Sequence, residues 1–422
     1  MAIPGLRNSD SVGNPNGTNR PGQWRNLILR LYPYGAQNAP LAALTSVMKS
    51  EATVDPIFHW FTKKTQSHRF VLGADLANVA SGTAAVMTID ATGSNSNAYG
   101  VKAGDVLMVE QSGELMYVTA TPATDNTISV IRGFDGSAGA AVTYNGAGVN
   151  PNVLKIGSAY EEGSAAPDPI GWDPAETSNQ TQIFRETFSL TGTAAGTVTR
   201  TGETVRESKA DCLEAFTVGL EKSFIFGKKR TTTRNNQPLR MSDGILAQLP
   251  SERKVSLAGQ SGLLSLKYWE TLIATMFRYG SREKMAWCGV TALLAITQMV
   301  RLNSQLQWSL GPMTKEYGMD VQRLMTPMGT LVLKIHPLFG QMTGGVTGGT
   351  AYTSFDNAIL VLDMANLKYR YLTGRDVTYQ PNLQLPGVDG MLAGYLAECG
   401  LELHHPETHM LLTGVLGGAK DA

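Results

Sequence analysis

The fold is decided by residues 183–227, which read IFRETFSLTGTAAGTVTRTGETVRESKADCLEAFTVGLEKSFIFG. Residues 183–189 alternate apolar and polar side chains, which predicts a half-buried strand. A turn is predicted at residues 192–196, and residues 203–226 predict one long amphipathic helix ending at Gly227. Its apolar stripe recurs at steps of three and four residues: Val205, Cys212, Leu213, Phe216, Leu220 and Phe224. Charged residues, Glu221 among them, are assigned to the remaining surface. At 1.5 Å per residue the helix spans on the order of 35 Å, which makes it a scaffold element.

The segment before this stretch has a different character. Residues 73–157 are rich in Ala, Gly, Thr and Ser and nearly free of Lys and Arg. Short β-like runs are separated by turn signals, which predicts a small antiparallel meander or barrel inserted into the chain. The predicted strands are residues 85–90, 105–110, 115–120 and 127–132.

Helices and strands alternate after the long helix. A helix is predicted to begin after an N-cap at Ser265, and Thr291 is predicted to cap another over residues 292–302. Strands are predicted at residues 330–336 and 358–363, the second apolar enough to be central in a sheet. Together with strand-like material after residue 374, this pattern predicts an α+β protein.

The N-terminal region predicts an arm. Residues 1–22 are rich in Asn, Gly and Pro, and residues 40–50 predict a short helix. The start has no basic region followed by an apolar one, as a signal peptide would have, and no apolar run approaches the roughly 20 residues that span a bilayer. We therefore expect no membrane partner.

Composition narrows the class of partners. The 422 residues contain 35 Lys plus Arg and 35 Asp plus Glu, so the formal net charge is zero. Proteins that grip nucleic acid tightly usually carry a basic excess, because they neutralise phosphates.

Three widely separated cysteines argue against a disulfide framework and predict small buried hydrophobes in a reducing compartment.

No catalytic arrangement emerges from the motifs. Residues 344–350 (GGVTGGT) lack the Gly-Lys-Ser/Thr of a phosphate loop, and the Glu161-Glu162 pair lies in a Gly/Ser/Pro-rich segment that predicts a solvated turn. One histidine cluster has neighbouring carboxylates that could ligate a metal: His404, His405 and His409 with Glu402 and Glu407. Because Pro406 interrupts a helix there, a solvated loop is the better interpretation. We therefore predict no catalytic residue, no cofactor and no metal; a hydrolase with an unfamiliar site is the enzyme alternative.

The order of parts resembles the major capsid protein of tailed bacteriophages with the HK97-type fold. Within that family it is similar to the group whose extended loop, the E-loop, carries a β insertion. The matching residues are 55–57 (DPI), 103–106 (AGDV), 129–136 (SVIRGFDG), 179–185 (NQTQIFR), 190–194 (LTGTA) and 400–403 (GLEL). The stretch 179–194 is the most distinctive, whereas Gly374-Arg375-Asp376 departs from the Gly-Asp of the family.

The resemblance implies a domain map. Residues 1–50 would form the arm and short helix, 51–72 and 158–202 the strands of the extended loop, and 73–157 the inserted β domain. The peripheral domain with its spine helix would cover 203–240, the axial domain 241–373, and the return strands of the peripheral domain 374–422.

The resemblance also implies a function. Such a protein self-assembles as hexamers and pentamers into an icosahedral shell that encloses double-stranded DNA without sequence-specific binding. A portal and scaffold or decoration proteins would be its partners, and the virion, assembled in the host cytoplasm, its location. The candidate subunit-interface residues are Arg7, Arg20, Trp24, Lys63, Lys64, Arg132, Phe134, Arg185, Glu186, Lys228, Lys229 and Arg230.

One physical expectation underlies this assignment. A long two-stranded excursion buries too little to be stable alone, so we expect residues 65–190 to be stabilised by lying on another copy. One alternative is an encapsulin-like bacterial compartment protein, which would be shorter and lack the insertion. The others are a phage tail or baseplate protein and a β-rich carbohydrate-binding protein that uses residues 73–157.

Overall fold

A computed structural model describes residues 50–63, 68–90, 98–144, 151–171, 173–197, 203–302, 314–316, 319–340 and 355–419. The predicted arm and almost all of the predicted short helix lie outside these residues, as do Arg7, Arg20, Trp24 and Lys64. The chain divides into two compact units, Phe61–Glu176 and the remainder, here called the barrel unit and the body.

Strands dominate both units. Within the described residues they are β1 (Ser50–Thr53), β2 (Ile57–Thr62), β3 (Arg69–Val71), β4 (Ala84–Thr88), β5 (Asp105–Val109), β6 (Leu115–Val118), β7 (Thr127–Ile131), β8 (Asn152–Ser158), β9 (Ala175–Gln180), β10 (Gln182–Thr191), β11 (Arg230–Arg234), β12 (Gln237–Met241), β13 (Lys254–Ser256), β14 (Leu263–Leu264), β15 (Glu283–Cys288), β16 (Thr314–Glu316), β17 (Met319–Thr326), β18 (Gly329–Ile335), β19 (Ile359–Leu362), β20 (Leu367–Leu372), β21 (Thr378–Gln380), β22 (Gly390–Leu403), β23 (Met410–Thr413) and β24 (Gly417–Gly418). The α-helices are α1 (Gly192–Gly196), α2 (Thr204–Phe226), α3 (Ile245–Gln248), α4 (Leu266–Met276) and α5 (Val290–Leu302). The α+β prediction is confirmed.

The long helix α2 confirms the predicted stripe at four of its six residues, whereas Val205 is half-buried and Leu213 is exposed. Cys212, Phe216, Leu220 and Phe224 are all buried. Gly227 follows the helix because the chain passes closely there: a Cβ atom on it would lie 2.5 Å from the Ser223 carbonyl oxygen. The prediction for Glu221 is wrong, because its side chain is buried in the body and not on the surface.

A five-stranded sheet supports this helix. Strand β22 lies at its centre, pairing antiparallel with β10 over ten residues on one side and with β20 and β21 on the other, while β1 pairs with β20. Aromatic contacts join helix and sheet: the ring centroids of Phe184 and Phe224 are 6.2 Å apart and those of Phe216 and Tyr395 are 6.0 Å apart. Strand β20 thus belongs to the helix-bearing sheet, although the domain map assigned it to the axial domain.

A second sheet of the body has seven strands in the order β13-β23-β19-β15-β18-β17-β16. Strand β19 is interior and buried at every residue, as predicted for residues 358–363. Helices α4 and α5 contribute Trp269 and Ile296 to the core against this sheet. Strand β23 pairs with β19 and β13, so it lies in the seven-stranded sheet.

Of the two predicted helix N-caps, the structure confirms one and contradicts the other. The Ser265 hydroxyl accepts a hydrogen bond from the Tyr268 N–H at 3.3 Å, so the predicted cap of α4 is confirmed. Helix α5 instead begins at Val290, whose N–H donates to the Asp356 carboxylate at 2.9 Å. Thr291 therefore lies inside the helix, because a carboxylate distant in sequence satisfies the helix start.

The barrel unit is a closed six-stranded sheet in the order β3-β8-β5-β6-β7-β4. Closure occurs where the Gly73 N–H donates to the Thr88 carbonyl oxygen and the Asp90 N–H donates to the Val71 carbonyl oxygen, both at 2.9 Å. Its core residues are Phe70, Leu72, Leu76, Met87, Ile89, Ala98, Val101, Leu107, Val109, Met116, Val118, Ile128, Val130, Val142 and Val153. The predicted barrel is confirmed. The expectation that the whole excursion 65–190 cannot satisfy itself is wrong for this part, because the barrel buries its own core.

Candidate assembly site

Residues 179–182, Asn-Gln-Thr-Gln, form a buried polar junction in the body, between β9 and β10. Asn179 donates from Nδ2 to the carbonyl oxygens of Leu401 (2.7 Å) and Asp243 (3.0 Å). Its Oδ1 accepts from the N–H groups of Gln180 (2.8 Å) and Asp243 (2.9 Å). Both functions of one amide are satisfied, so the junction fixes the point where the chain returns from the excursion.

Gln180 extends the junction to the β11–β12 hairpin. Its Nε2 donates to the carbonyl oxygens of Met241 (2.6 Å) and Arg230 (2.9 Å), and its Oε1 accepts from the Thr231 hydroxyl at 2.9 Å. Thr181 donates its N–H to the Pro56 carbonyl oxygen at 2.8 Å. The four-residue motif therefore holds the outgoing strand and the base of the hairpin together.

The predicted basic run lies on this hairpin. Lys228, Lys229 and Arg230 are exposed. Lys229 donates from Nζ to the Ser178 carbonyl oxygen at 2.9 Å, and its N–H donates to the Asp243 carboxylate at 2.5 Å. The remaining two side chains have no ion pair with any residue that the structure describes, so they present charge outward.

Three other candidates are exposed as well. Arg185 and Glu186 lie on β10, an edge strand of the five-stranded sheet among the described residues, and Lys63 follows β2. Edge strands present unpaired backbone groups that another chain can cover. Their accessibility is compatible with the predicted interface role, which stays a prediction.

Two candidates in the barrel unit differ from each other. Phe134 is 49% exposed and stacks on Tyr117 with ring centroids 5.0 Å apart. Arg132 is 1% exposed, and its Nη2 lies 2.6 Å from the Glu114 carboxylate inside the unit. Arg132 is thus corrected from an interface residue to an internal ion pair, because burial makes it inaccessible to a neighbour.

The model of a family described as SU10 major capsid protein matches residues 14–416. This chain belongs to that family. A major capsid protein of Pseudomonas phage PaMx41 is 25% identical over 410 residues, covering 92% of this chain and 91% of the relative.

Solved structures similar to this chain include two shell proteins. The capsid of an empty GTA particle has a TM-score of 0.48 at 9% identity and covers 98% of this chain and 100% of its own. The SrpI encapsulin of Synechococcus elongatus PCC 7942 has a TM-score of 0.40 at 10% identity, covering 59% of this chain and 79% of its own. The family match confirms the predicted phage major capsid protein, which is a virion component.

The histidines of the predicted cluster in the capsid protein do not come together around one site. His404 contacts the Glu402 carboxylate through Nε2, whereas His409 is buried and its Nδ1 accepts a hydrogen bond from the Asp363 N–H at 3.1 Å. Burial lowers the pKa of His409 to about 4. Among the described residues, no group of three His, Cys, Asp or Glu side chains could hold a metal ion. The predicted solvated loop is wrong for His409, which belongs to the core.

Sequence reasoning missed a buried cation in the capsid protein. Lys284 is 1% exposed and donates from Nζ to the carbonyl oxygens of Met276 (2.6 Å), Tyr279 (2.8 Å) and Thr408 (2.6 Å). Desolvation by burial lowers its pKa to about 8. The only signal was a charge within the apolar run of β15. Three carbonyl acceptors make it a structural tie that joins the end of α4 to the loop before β23.

The buried state of all three cysteines agrees with the sequence. Cys212, Cys288 and Cys399 are buried free thiols. Burial raises the pKa of Cys288 to about 12 and that of Cys399 also to about 12.

No helix in the described ranges is long and apolar enough to cross a bilayer.

Proposed function

We propose that this capsid protein self-assembles as hexamers and pentamers into the icosahedral shell that encloses the double-stranded DNA of a tailed bacteriophage. The observation that carries the proposal is the family match, which extends over residues 14–416 and therefore includes both the body and the barrel unit. Closed shells of many copies need several moderate contacts on each subunit.

The described architecture supports a proposal for the roles of the domains. We propose that helix α2 with the five-stranded sheet forms the peripheral domain and that the seven-stranded sheet with α4 and α5 forms the axial domain. Strands β2 and β9 would be the strands of the extended loop, and the barrel its insertion. The candidate residues Lys63, Arg185, Glu186, Lys228 and Arg230 would then contact neighbouring subunits, together with the arm.

The proposed relation to DNA rests on charge. Zero formal net charge suits a container, since tight binding of phosphate would oppose packing and release of the genome. We therefore expect enclosure of DNA without sequence-specific contacts. A portal and scaffold or decoration proteins are proposed partners, assembly is proposed in the host cytoplasm, and no catalytic role is proposed.

Expression of the full chain tests the proposal. The purified protein should form closed shells, capsomers or tubes in negative-stain micrographs and should sediment as large particles. If the chain alone stays monomeric, co-expression with its portal and neighbouring phage proteins should induce shells, because nucleation of a closed lattice can require them. A compact monomer with no ordered lattice under either condition would contradict the proposed function.

A further inference from the structure

No residue in the described ranges covers the β11–β12 hairpin fully. Of its ten strand residues, Thr232 and Arg240 are half-buried and the others are exposed. Its base is held by Gln180, but the two strands form a sheet of their own. A two-stranded sheet exposed on both faces is only marginally stable in water, so we expect a partner surface to cover the outer part of the hairpin.

The register of the hairpin defines the chemistry of one face. Residues directly opposite in an antiparallel pair share a face, and Arg230 lies opposite Met241 while Thr232 lies opposite Leu239. Arg234 is on the same face, two residues further along. Leu239, 44% exposed, therefore lies between the positions of Arg230 and Arg234 on this face, and Met241, 40% exposed, lies directly opposite Arg230. Residues 228–241 contain five Lys or Arg and no Asp or Glu.

Residues 159–176 of the barrel unit, here called the acidic segment, have the complementary chemistry. They contain five Asp or Glu, and the 29 residues 156–184 around them contain no Lys or Arg. Every residue from 159 to 169 is exposed, and none of the acidic segment contributes to a hydrophobic core within the described chain. In the sequence, Asp168 and Asp173 bracket the apolar Ile170 and Trp172.

Charge also separates the two units as wholes. The barrel unit has six Lys or Arg and twelve Asp or Glu, whereas the body has 29 and 23. The neutral chain is therefore an acidic unit joined to a basic one. Opposite patches of this kind steer copies of one protein towards each other and fix the register in which they dock.

We propose that the β11–β12 hairpin of one copy binds the acidic segment of a neighbouring copy. Arg230 and Arg234 would pair with Asp168 and Asp173 on either side of an apolar contact made by Leu239 and Met241. The proposal rests on the proposed shell function and deepens it by naming the two surfaces of one subunit contact. The ligand of the basic hairpin is thus a second copy of this chain.

Complementary charge reversals test the contact in the full-length protein. Chain R230E/R234E and chain D168R/D173R, each alone, should assemble at least about tenfold less than the wild type at equal concentration, because the contact is repeated in every subunit. An equimolar mixture should recover to within about twofold of the wild type, since each reversed surface then finds its complement on the other chain. The readout is the fraction of protein that sediments as particles, at low and high salt.

The controls separate this contact from general charge effects. Chain K254E/R278E carries the same change in net charge at exposed body positions and should not be rescued by D168R/D173R. Circular dichroism checks folding, and R230Q/R234Q provides a milder loss without repulsion. If the wild type forms no shells, the proposed function fails, but mixing-dependent and salt-sensitive association in sedimentation velocity still measures the contact.

Four results would overturn the proposal. A single chain that carries all four reversals, R230E/R234E/D168R/D173R, adds one more comparison. Failure of the mixture together with assembly of this chain would place the contact within one copy. Normal assembly of R230E/R234E with reduced retention of DNA would assign the hairpin to nucleic acid. Unchanged assembly of both reversed chains, or a mixture that associates no better than either component, would remove the contact altogether.

Discussion

The Nε2 atom of His336 lies 2.7 Å from Oε1 of Glu221, and both side chains are fully buried. Glu221 belongs to the long helix α2, and His336 directly follows β18 of the seven-stranded sheet. The imidazole stacks on Phe339 with ring centroids 4.4 Å apart. This polar contact therefore ties the helix of the five-stranded sheet to the end of β18, an interior strand of the seven-stranded sheet.

Removing one partner of this pair should weaken the body strongly. We expect Glu221→Ala to lower the free energy of unfolding by about 3 kcal/mol, because His336 would lose its polar partner in the core. Urea denaturation followed by tryptophan fluorescence measures the change. Lys222→Ala, at the exposed neighbouring position, is the control and should stay within about 0.5 kcal/mol of the wild type. Equal effects of the two variants would contradict a specific role of the pair.

The buried junction at Asn179 predicts a second stability effect. Asn179→Ala leaves the carbonyl oxygen of Leu401 and the N–H of Asp243 without their partner, which should cost about 2 kcal/mol. Ser178→Ala, one residue earlier and only half-buried, should have a much smaller effect. Hydrogen exchange of the β11–β12 hairpin should accelerate in the first variant only. A hairpin equally protected in both would show that the junction does not hold it.

Arg132 allows a test of the independence of the barrel unit. Arg132→Ala leaves the buried Glu114 carboxylate without its cation and should destabilise the barrel by about 4 kcal/mol. Because the barrel has its own core, limited proteolysis should then cleave within the barrel unit while the body stays intact. Arg69→Ala removes an exposed ion pair with Glu110 and is the matched control. Simultaneous unfolding of both units would refute this independence.

His409 predicts a pH dependence in the acid range. Its pKa falls from 6.5 to about 4 on folding, chiefly by burial, so the unfolded chain binds more protons between these values. This contribution to stability is complete above pH 6.5, declines as the pH falls towards 4, and amounts to about 3 kcal/mol. The charges of Asp363, Lys284 and Glu407 act on the same ring.

His409→Asn removes the pH-dependent contribution of this histidine to stability and keeps its hydrogen bond, because an asparagine oxygen can accept the Asp363 N–H without titrating near neutrality. Thermal unfolding of this variant should show a flatter slope between pH 6.5 and pH 4 than the wild type. His405→Asn, which lacks the bond from Asp363, should keep the wild-type profile. Parallel profiles for wild type and His409→Asn would exclude the histidine as the source.

Local patterns in the sequence predicted most elements. The stripe of α2, the alternation of β10 and the turn signals between β4 and β7 each report burial within one element, and the structure has all of them. Sheet partners were harder to predict. The positions of β20 and β23 depend on pairing with strands distant in sequence, and nothing within either strand encodes that choice.

The burial of several polar residues was the main feature that the sequence patterns did not predict. Any pattern read along the sequence assigns three of these residues to the surface: Glu221, Lys284 and His409. Each is nevertheless buried in the core, because groups distant in sequence supply its hydrogen bonds or ion pair. Arg132 was assigned to an interface for the same reason. For the assembly site, the structure leaves the candidate residues Lys228, Lys229 and Arg230 exposed, and their interface role stays a prediction. The role of residues 179–182 as a buried junction needed the tertiary structure.

The pairing of β3 with β8 has a practical consequence. These strands open and close the barrel unit, and they are hydrogen-bonded neighbours, so the chain enters and leaves the barrel at one place. Adjacent strands lie about 4.8 Å apart, and any foreign domain with similarly close termini matches that spacing. The barrel can therefore be exchanged at this position: an enzyme or antigen spliced between Arg69 and Leu154, which are paired in the sheet, would be carried once per subunit. Unaltered thermal unfolding of the remaining body would show that the graft is tolerated.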